Sequence, residues 1–212
     1  NAGAKRFFET WFVPYEVRDA LAAQDGLFTG YYEPELTGAW ARGGKFQTPL
    51  LARPSDLVSV GLGAFAEDLG GNTVWGRVQG ARLKPYPDRA AIEGGALGDL
   101  AKPLLWVDSP VDAFFLHVQG SGRVRLSDGT VAHVGFAGKN GKRYKSIGRV
   151  LIDSGEIPAN RLTMDAIRKW FDARPKKGPA LLKKNPSYVF FRLLKGDGPL
   201  GAQGVALTAE RS

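Results

Sequence analysis

At 212 residues, with 43% hydrophobic and 24% charged residues, the chain has the make-up of a globular protein of one or two domains, and no apolar run is long enough to span a membrane as a helix. The lack of cysteine excludes disulfides, thiolate nucleophiles and cysteine-held zinc, and two histidines, His117 and His133, leave no His-rich metal site, so neither a metal nor a cofactor is expected. A net charge of +8 asks for an acidic partner.

The first residues, Asn1-Ala-Gly-Ala, read neither as an initiator nor as a signal peptide, and the chain is expected to be a piece of a longer protein. Residues 4–13 carry helical apolar spacing that Pro14 stops. Residues 26–34, rich in aromatic and β-favouring side chains, read as a strand ended by Pro34. A glycine turn at 42–45 leads to a second strand over 46–51. Gly and Pro then recur through 52–87, with strands at 74–78 and 81–84 in a small antiparallel sheet or barrel. Residues 88–93 form a short helix ended by Gly94-Gly95, and 104–107 form a short buried strand.

Ser109-Pro110-Val-Asp112 gives a sharp helix start, and that helix ends at Gly120. Segments 123–126 and 130–136 flank Ser127-Asp128-Gly129, the strongest hairpin signal in the sequence. Further helices are predicted over 146–153, closed by Gly155, and over 164–173 behind the cap Thr163, with Ile167, Trp170 and Phe171 inward. A strand follows at 188–194 and another begins at 205–208. The resulting class is mixed and β-rich, with sheets or barrels carrying a few helices.

Among the carboxylates, Asp128 is accounted for by its hairpin turn and Asp112 by helix capping, while Glu33, beside two tyrosines, is placed to line a groove. Glu35 and Asp108 complete the set, and no pair has the spacing of an acid and a base. Ser121 in Gln119-Gly-Ser-Gly122 lacks both the nucleophile-elbow order and a triad. It is either a hydroxyl that hydrogen-bonds a sugar or part of a helix cap and tight turn.

Residues 135–141 are glycine-rich but lack the ending and spacing of a P-loop. Lys139, Asn140 and Tyr144 are placed to bind carboxylate and sugar hydroxyls, or else simply connect hairpin to helix. Tyr31 and Tyr32 point to opposite faces of a strand, so one is buried and the other free to stack on a sugar ring; Trp40 and Phe46 add aromatic faces. The basic group Lys139, Lys142, Arg143 and Lys145 suits a carboxylated glycan as well as a nucleic acid. The group Lys176, Lys177, Lys183 and Lys184 suits a solvated surface, and no nucleic-acid-binding motif is present.

Four segments in order, Thr29-Gly-Tyr-Tyr-Glu-Pro34, Val118-Gln-Gly-Ser-Gly122, Ala137-Gly-Lys-Asn-Gly141 with Tyr144-x-Ser146-Ile-Gly148, and Asn185-Pro-Ser-Tyr-Val-Phe-Phe191, resemble the membrane-bound lytic murein transglycosylase A family. The resemblance implies a mainly β fold with short helices, organised as two β-barrel domains. One is an incomplete double-psi barrel, drawn from residues 1–40 and 186–212, and the other a smaller barrel inserted over 41–185. It implies cleavage of the MurNAc–GlcNAc β-1,4 bond of peptidoglycan to give 1,6-anhydromuramyl ends. A single Asp protonates the leaving oxygen and then serves as base while the muramyl 6-hydroxyl attacks, the intramolecular nucleophile supplying a high effective molarity. The family's catalytic run, of the form Asp-x-Gly-Gly-Ala-Ile, has no counterpart here, so the acid is expected beyond Ser212 and the chain alone is expected to be inactive.

Carried over by position, Thr29 is a groove threonine, Gln119, Ser121 and Gly122 line the glycan, and Lys139, Asn140 and Tyr144 fall at the groove. The implied setting is the periplasmic side of the outer membrane of a Gram-negative bacterium. There the full-length protein is a monomer held by a lipid anchor, with peptidoglycan and not nucleic acid as its partner. The alternative is a non-catalytic glycan-binding module.

Overall fold

The computed structural model describes residues 2–13 and 33–196, in two units split between residues 32 and 33. The first unit holds helix α1, Ala2–Trp11, whose Phe7, Phe8 and Trp11 are exposed. The expected strand at 26–34 and the strand start at 205–208 lie almost wholly outside the described residues. No described helix is long and apolar enough to cross a membrane.

In the second unit β1, Glu35–Ala39, begins directly after Pro34, and β2, Thr48–Leu51, follows the glycine turn. Strands β3 (Val58–Gly61), β4 (Thr73–Gln79) and β5 (Arg82–Pro85) form a three-stranded antiparallel sheet. Helix α2 (Arg89–Glu93), strand β6 (Pro103–Val107) and helix α3 (Pro110–Gln119) come next. The hairpin β7 (Ser121–Leu126) and β8 (Val131–Lys139) leads to helices α4 (Ile147–Asp153), α5 (Met164–Asp172) and α6 (Gly178–Leu182), and then to β9, Val189–Leu193.

The larger sheet has six strands in the order β2-β6-β1-β7-β8-β9, with β1 and β7 parallel and the other pairs antiparallel. One isolated parallel bridge pairs Ala52, just after β2, with Phe191 in the middle of β9. The described residues therefore form a mainly β fold with short helices but no closed barrel. The sheet takes β1 from one side and β9 from the other, so it runs across the boundaries expected at residues 40 and 185.

Local chemistry explains the helix starts. Asp88, Ser109, Ser146 and Thr163 each accept the backbone N–H three residues on, at 2.9 to 3.2 Å, satisfying a donor that has no intrahelical partner. Helix α3 ends at Gly120 with φ of 82°, a left-handed cap that turns the chain straight into β7. Ser121 and Gly122 are thus the first residues of a strand, paired with Gly135 and Val134, rather than a free loop.

Alternation along β9 divides the core. Val189 and Phe191 join Leu36, Leu105, Val124 and Val134 on one face, while Tyr188 and Phe190 join Leu51, Tyr86 and Ile92 on the other. Helix α3 divides likewise: Ala113 and Leu116 meet the sheet, and Val111 and Phe114 meet α4, α5 and α6. Three elements escaped the sequence reading. The segment Leu-Thr-Gly-Ala of β1 has weak strand composition, β3 is only four residues long, and α6 hides behind the punctuation Gly178-Pro179.

Candidate glycan-binding face

The two motif segments of the middle of the chain meet at Phe136. This residue sits on β8 just before the register shift between Phe136 and Gly138, and its side chain is 45% exposed. A Cβ on Gly120 would lie 3.9 Å from Phe136 Cβ, so the turn that carries Gln119 and Ser121 borders this ring. The ring of Phe136 stands edge-on to Trp75 of β4, with centroids 6.1 Å apart. Trp75 in turn closes over Gly138 and Gly141: a Cβ at either glycine would come within 3.0 to 3.1 Å of it.

Arg53 fixes the other side of the indole. Its guanidinium carbon lies 5.4 Å from the Trp75 ring centroid, while Nη2 donates to the carbonyl of Leu57 at 2.9 Å. Gln119, Lys139 and Tyr144, from the segments that meet these rings, are exposed. The arrangement offers an aromatic surface edged by an amide and cations, which suits a sugar ring bearing carboxylates. Neither Trp75 nor Arg53 was among the expected site residues. The spacing of Gly138 and Gly141 hinted that something large lies against that backbone, but not what.

Asn140 is placed differently from its neighbours. It is buried, and its Nδ2 donates to the carbonyls of Pro87 and Pro186 at 2.9 and 2.8 Å. Its Oδ1 accepts the N–H groups of Tyr188 at 2.9 Å and Lys142 at 3.3 Å. All four hydrogen-bonding positions of the amide are engaged by main chain, so it shapes the loop and does not present itself to a sugar. Gly122 is also buried, because a Cβ there would stand 2.7 Å from both Leu116 Cδ1 and the Pro34 carbonyl. Its bareness serves strand-to-helix packing. Thr29, Tyr31 and Tyr32 lie outside the described residues.

Each of the weighed carboxylates has a partner. Glu33 pairs with Arg123 at 3.3 Å, Asp108 with Lys45 at 3.0 Å, and Asp112 with Arg168 at 3.0 Å. Glu35 accepts from Arg125 at 2.7 Å, and that hydrogen bond holds its carboxyl below the usual range. Asp128 accepts the hydroxyl and N–H of Thr130, which lower it likewise. A general acid needs an environment that keeps its proton on near neutral pH, and these two have the opposite one.

Comparison with known proteins places this geometry. The family profile described as the MltA specific insert domain matches residues 27–192. Over 187 residues the chain is 35% identical to membrane-bound lytic murein transglycosylase A of Escherichia coli (strain K12), taking in 87% of this chain and 44% of that protein. The chain therefore spans less than half the length of this curated relative. The crystal structure of MltA from Neisseria gonorrhoeae matches with a TM-score of 0.78 at 33% identity, over 86% of this chain and 53% of that one. That of E. coli MltA with bound chitohexaose matches with a TM-score of 0.66 at 34% identity, over 84% of this chain and 46% of that one.

Proposed function

This chain belongs to the membrane-bound lytic murein transglycosylase A family, and from that premise we propose that it forms the glycan-holding part of a peptidoglycan lytic transglycosylase. The observation that carries the reading is the Phe136–Trp75 pair, against which Gly120 of one motif segment and Gly138 and Gly141 of the other pack. The relative that holds chitohexaose supports a glycan strand as the partner.

In this reading Gln119, Ser121 and Lys139 border the strand, Tyr144 contributes its ring, and Asn140 and Gly122 hold the backbone that carries them. Thr29, Tyr31 and Tyr32 complete the groove from the segment before β1. The bond cleaved is MurNAc–GlcNAc β-1,4. An aspartate outside residues 33–196 gives its proton to the leaving oxygen and then takes the proton of the muramyl 6-hydroxyl as that oxygen closes on the anomeric carbon. A 1,6-anhydromuramyl end results, and one carboxylate suffices because the nucleophile is intramolecular.

Residues 41–185 form the smaller inserted barrel, and residues 1–40 and 186–212 belong to a double-psi barrel completed by further parts of the whole protein. The site of action is the periplasmic side of the outer membrane of a Gram-negative bacterium, with a lipid anchor on a monomeric full-length protein. The chain alone is inactive. The pairing of every weighed carboxylate also suits a second reading, a glycan-binding module without catalysis.

Digestion of purified murein by the full-length protein, followed by mass analysis of the fragments, separates these readings. Anhydromuramyl ends are expected. Reducing ends would make the protein a hydrolase, and glycan binding without any cleavage would leave the binding module.

A further inference from the structure

The excess positive charge of the chain resides in two short segments. Lys139, Lys142, Arg143 and Lys145 close and follow β8, and Lys176, Lys177, Lys183 and Lys184 flank α6, with no acidic residue inside either segment. Without these eight cations, the remaining 21 of the 29 Lys and Arg equal the 21 Asp and Glu in number. The net charge of +8 is therefore local to two places in the sequence.

The fold brings these two places together. The backbone N–H of Lys145 donates to Asn185 Oδ1 at 3.0 Å, so the end of the basic loop is fastened one residue beyond Lys184. Asn185 is buried at 2% exposure, and the same oxygen accepts the N–H of Ser187 at 3.1 Å, so the junction belongs to the packed interior. Lys145 and Lys184 line one open cleft of about 480 Å³ with Val150, Asp153 and Ser154. The carboxylate of Asp153 is engaged by Arg149 at 2.8 Å.

Arg143, Lys145, Lys183 and Lys184 are exposed, and among the described residues none of them has a carboxylate partner. Elsewhere Lys45, Arg149, Lys169 and Arg174 each have one. Like charges gathered in this way repel one another and cost stability, which an outside anion reverses. The helix dipole does not account for them: α6 has five residues, and Arg143 and Lys145 lie on a loop. Lysine also predominates over arginine, and its hydrated point charge suits a loose field of anions better than a bidentate pocket.

We propose that this surface docks the protein on a membrane of anionic phospholipid, with Arg143, Lys145, Lys183 and Lys184 against the lipid phosphates. The choice of lipid over nucleic acid rests on the envelope setting proposed above, whereas the charged surface does not. Both ends of the basic loop are pinned to one stretch of chain, Asn140 to Pro186 and Tyr188, and Lys145 to Asn185. The loop starts beside Gly138, which packs against Trp75, so docking holds the Phe136–Trp75 face at a set distance from the bilayer. A lipid anchor alone would tether the protein without orienting it.

The test is co-sedimentation of the chain with vesicles of phosphatidylglycerol and phosphatidylethanolamine, against vesicles of phosphatidylcholine alone. Binding to the anionic vesicles that weakens as salt rises is expected, with none to the neutral ones. Lys145→Ser combined with Lys184→Ser should weaken it about twentyfold, at about fivefold per cation. The melting temperature should hold, because both side chains are exposed and unpaired among the described residues. The charge-matched control is Lys84→Ser combined with Lys102→Ser, exposed lysines outside both segments, which should keep binding within about twofold. Equal losses in the two double variants, equal binding to both kinds of vesicle, or duplex DNA bound as tightly as the anionic vesicles would each overturn the proposal. Chitohexaose binding, measured on the same proteins, separates this surface from the glycan reading. If chitohexaose binds and the vesicles do not, the membrane surface falls alone; if the vesicles bind and chitohexaose does not, the membrane surface stands and the glycan face falls.

Discussion

Asn140 Oδ1 accepts the backbone N–H of Tyr188 at 2.9 Å, and so ties the loop after β8 to the entry of β9 across 48 residues of sequence. The same side chain holds the carbonyls of Pro87 and Pro186. Replacing it with Ala leaves buried main-chain donors and acceptors unmet at about 1 kcal/mol or more each, so Asn140→Ala should lower stability by about 3 kcal/mol in urea unfolding. A loss well under 1 kcal/mol would mean the loop does not depend on this amide.

The helix caps, the 127–129 hairpin and the inward face of α5 were legible in the sequence because each is a local matter of a capping oxygen, a turn dipeptide or a 3.6-residue period. The site was legible only as two separate segments. That they meet at Phe136, against a tryptophan from a different sheet, depends on tertiary packing that spacing does not encode. The structural role of Asn140 was left open for the same reason. Its four partners come from residues 87, 142, 186 and 188, and a sequence that shows Lys-Asn-Gly in a basic loop gives no sign of them.

The buried imidazole makes stability depend on pH. His117 faces Arg89 and Tyr188, with Glu93 behind Arg89, and it stays neutral in the fold well below its ordinary pKa of 6.5. The unfolded chain then binds the extra proton, so stability is full above about pH 7 and falls as pH drops below 6.5, by at most about 1.4 kcal/mol per unit. Glu35, Asp128 and Glu156, with lowered pKa values, add losses only at more acid pH, near and below their ordinary values of 3.8 to 4.5. Unfolding free energies measured between pH 5 and 7 should show this slope, and His117→Gln should flatten it.

The two glycines around Ser121 should respond unequally to Ala. Gly120 has φ of 82° but no atom closer than 3.9 Å to a built Cβ, so Gly120→Ala should cost about 1 kcal/mol of backbone strain. Gly122 has ordinary φ, yet its Cβ would stand 2.7 Å from Leu116 and from the Pro34 carbonyl. Gly122→Ala should therefore cost about 2 kcal/mol, in the range of overpacked cores, with β1 and α3 forced apart. Thermal melts of both variants check the order; the reverse order would place the tight packing at the turn instead.

The Phe136–Trp75 pair predicts a separation of binding from stability. Phe136 is 45% exposed and contacts Trp75 by a single edge, and Lys139 is exposed, so neither carries much of the core. Phe136→Ala removes the ring surface available to a sugar and should weaken chitohexaose binding about tenfold in calorimetry while shifting the melting temperature by no more than about 3 °C. Lys139→Ala should leave this uncharged ligand nearly unaffected but weaken binding to murein strands that carry carboxylates, with a loss that shrinks as salt rises. Trp75→Ala, by contrast, removes the ring that Arg53, Gly138 and Gly141 rest against, and should reduce both binding and stability. If Phe136→Ala and Lys139→Ala both bind murein as the unaltered chain does, the glycan does not run over this face.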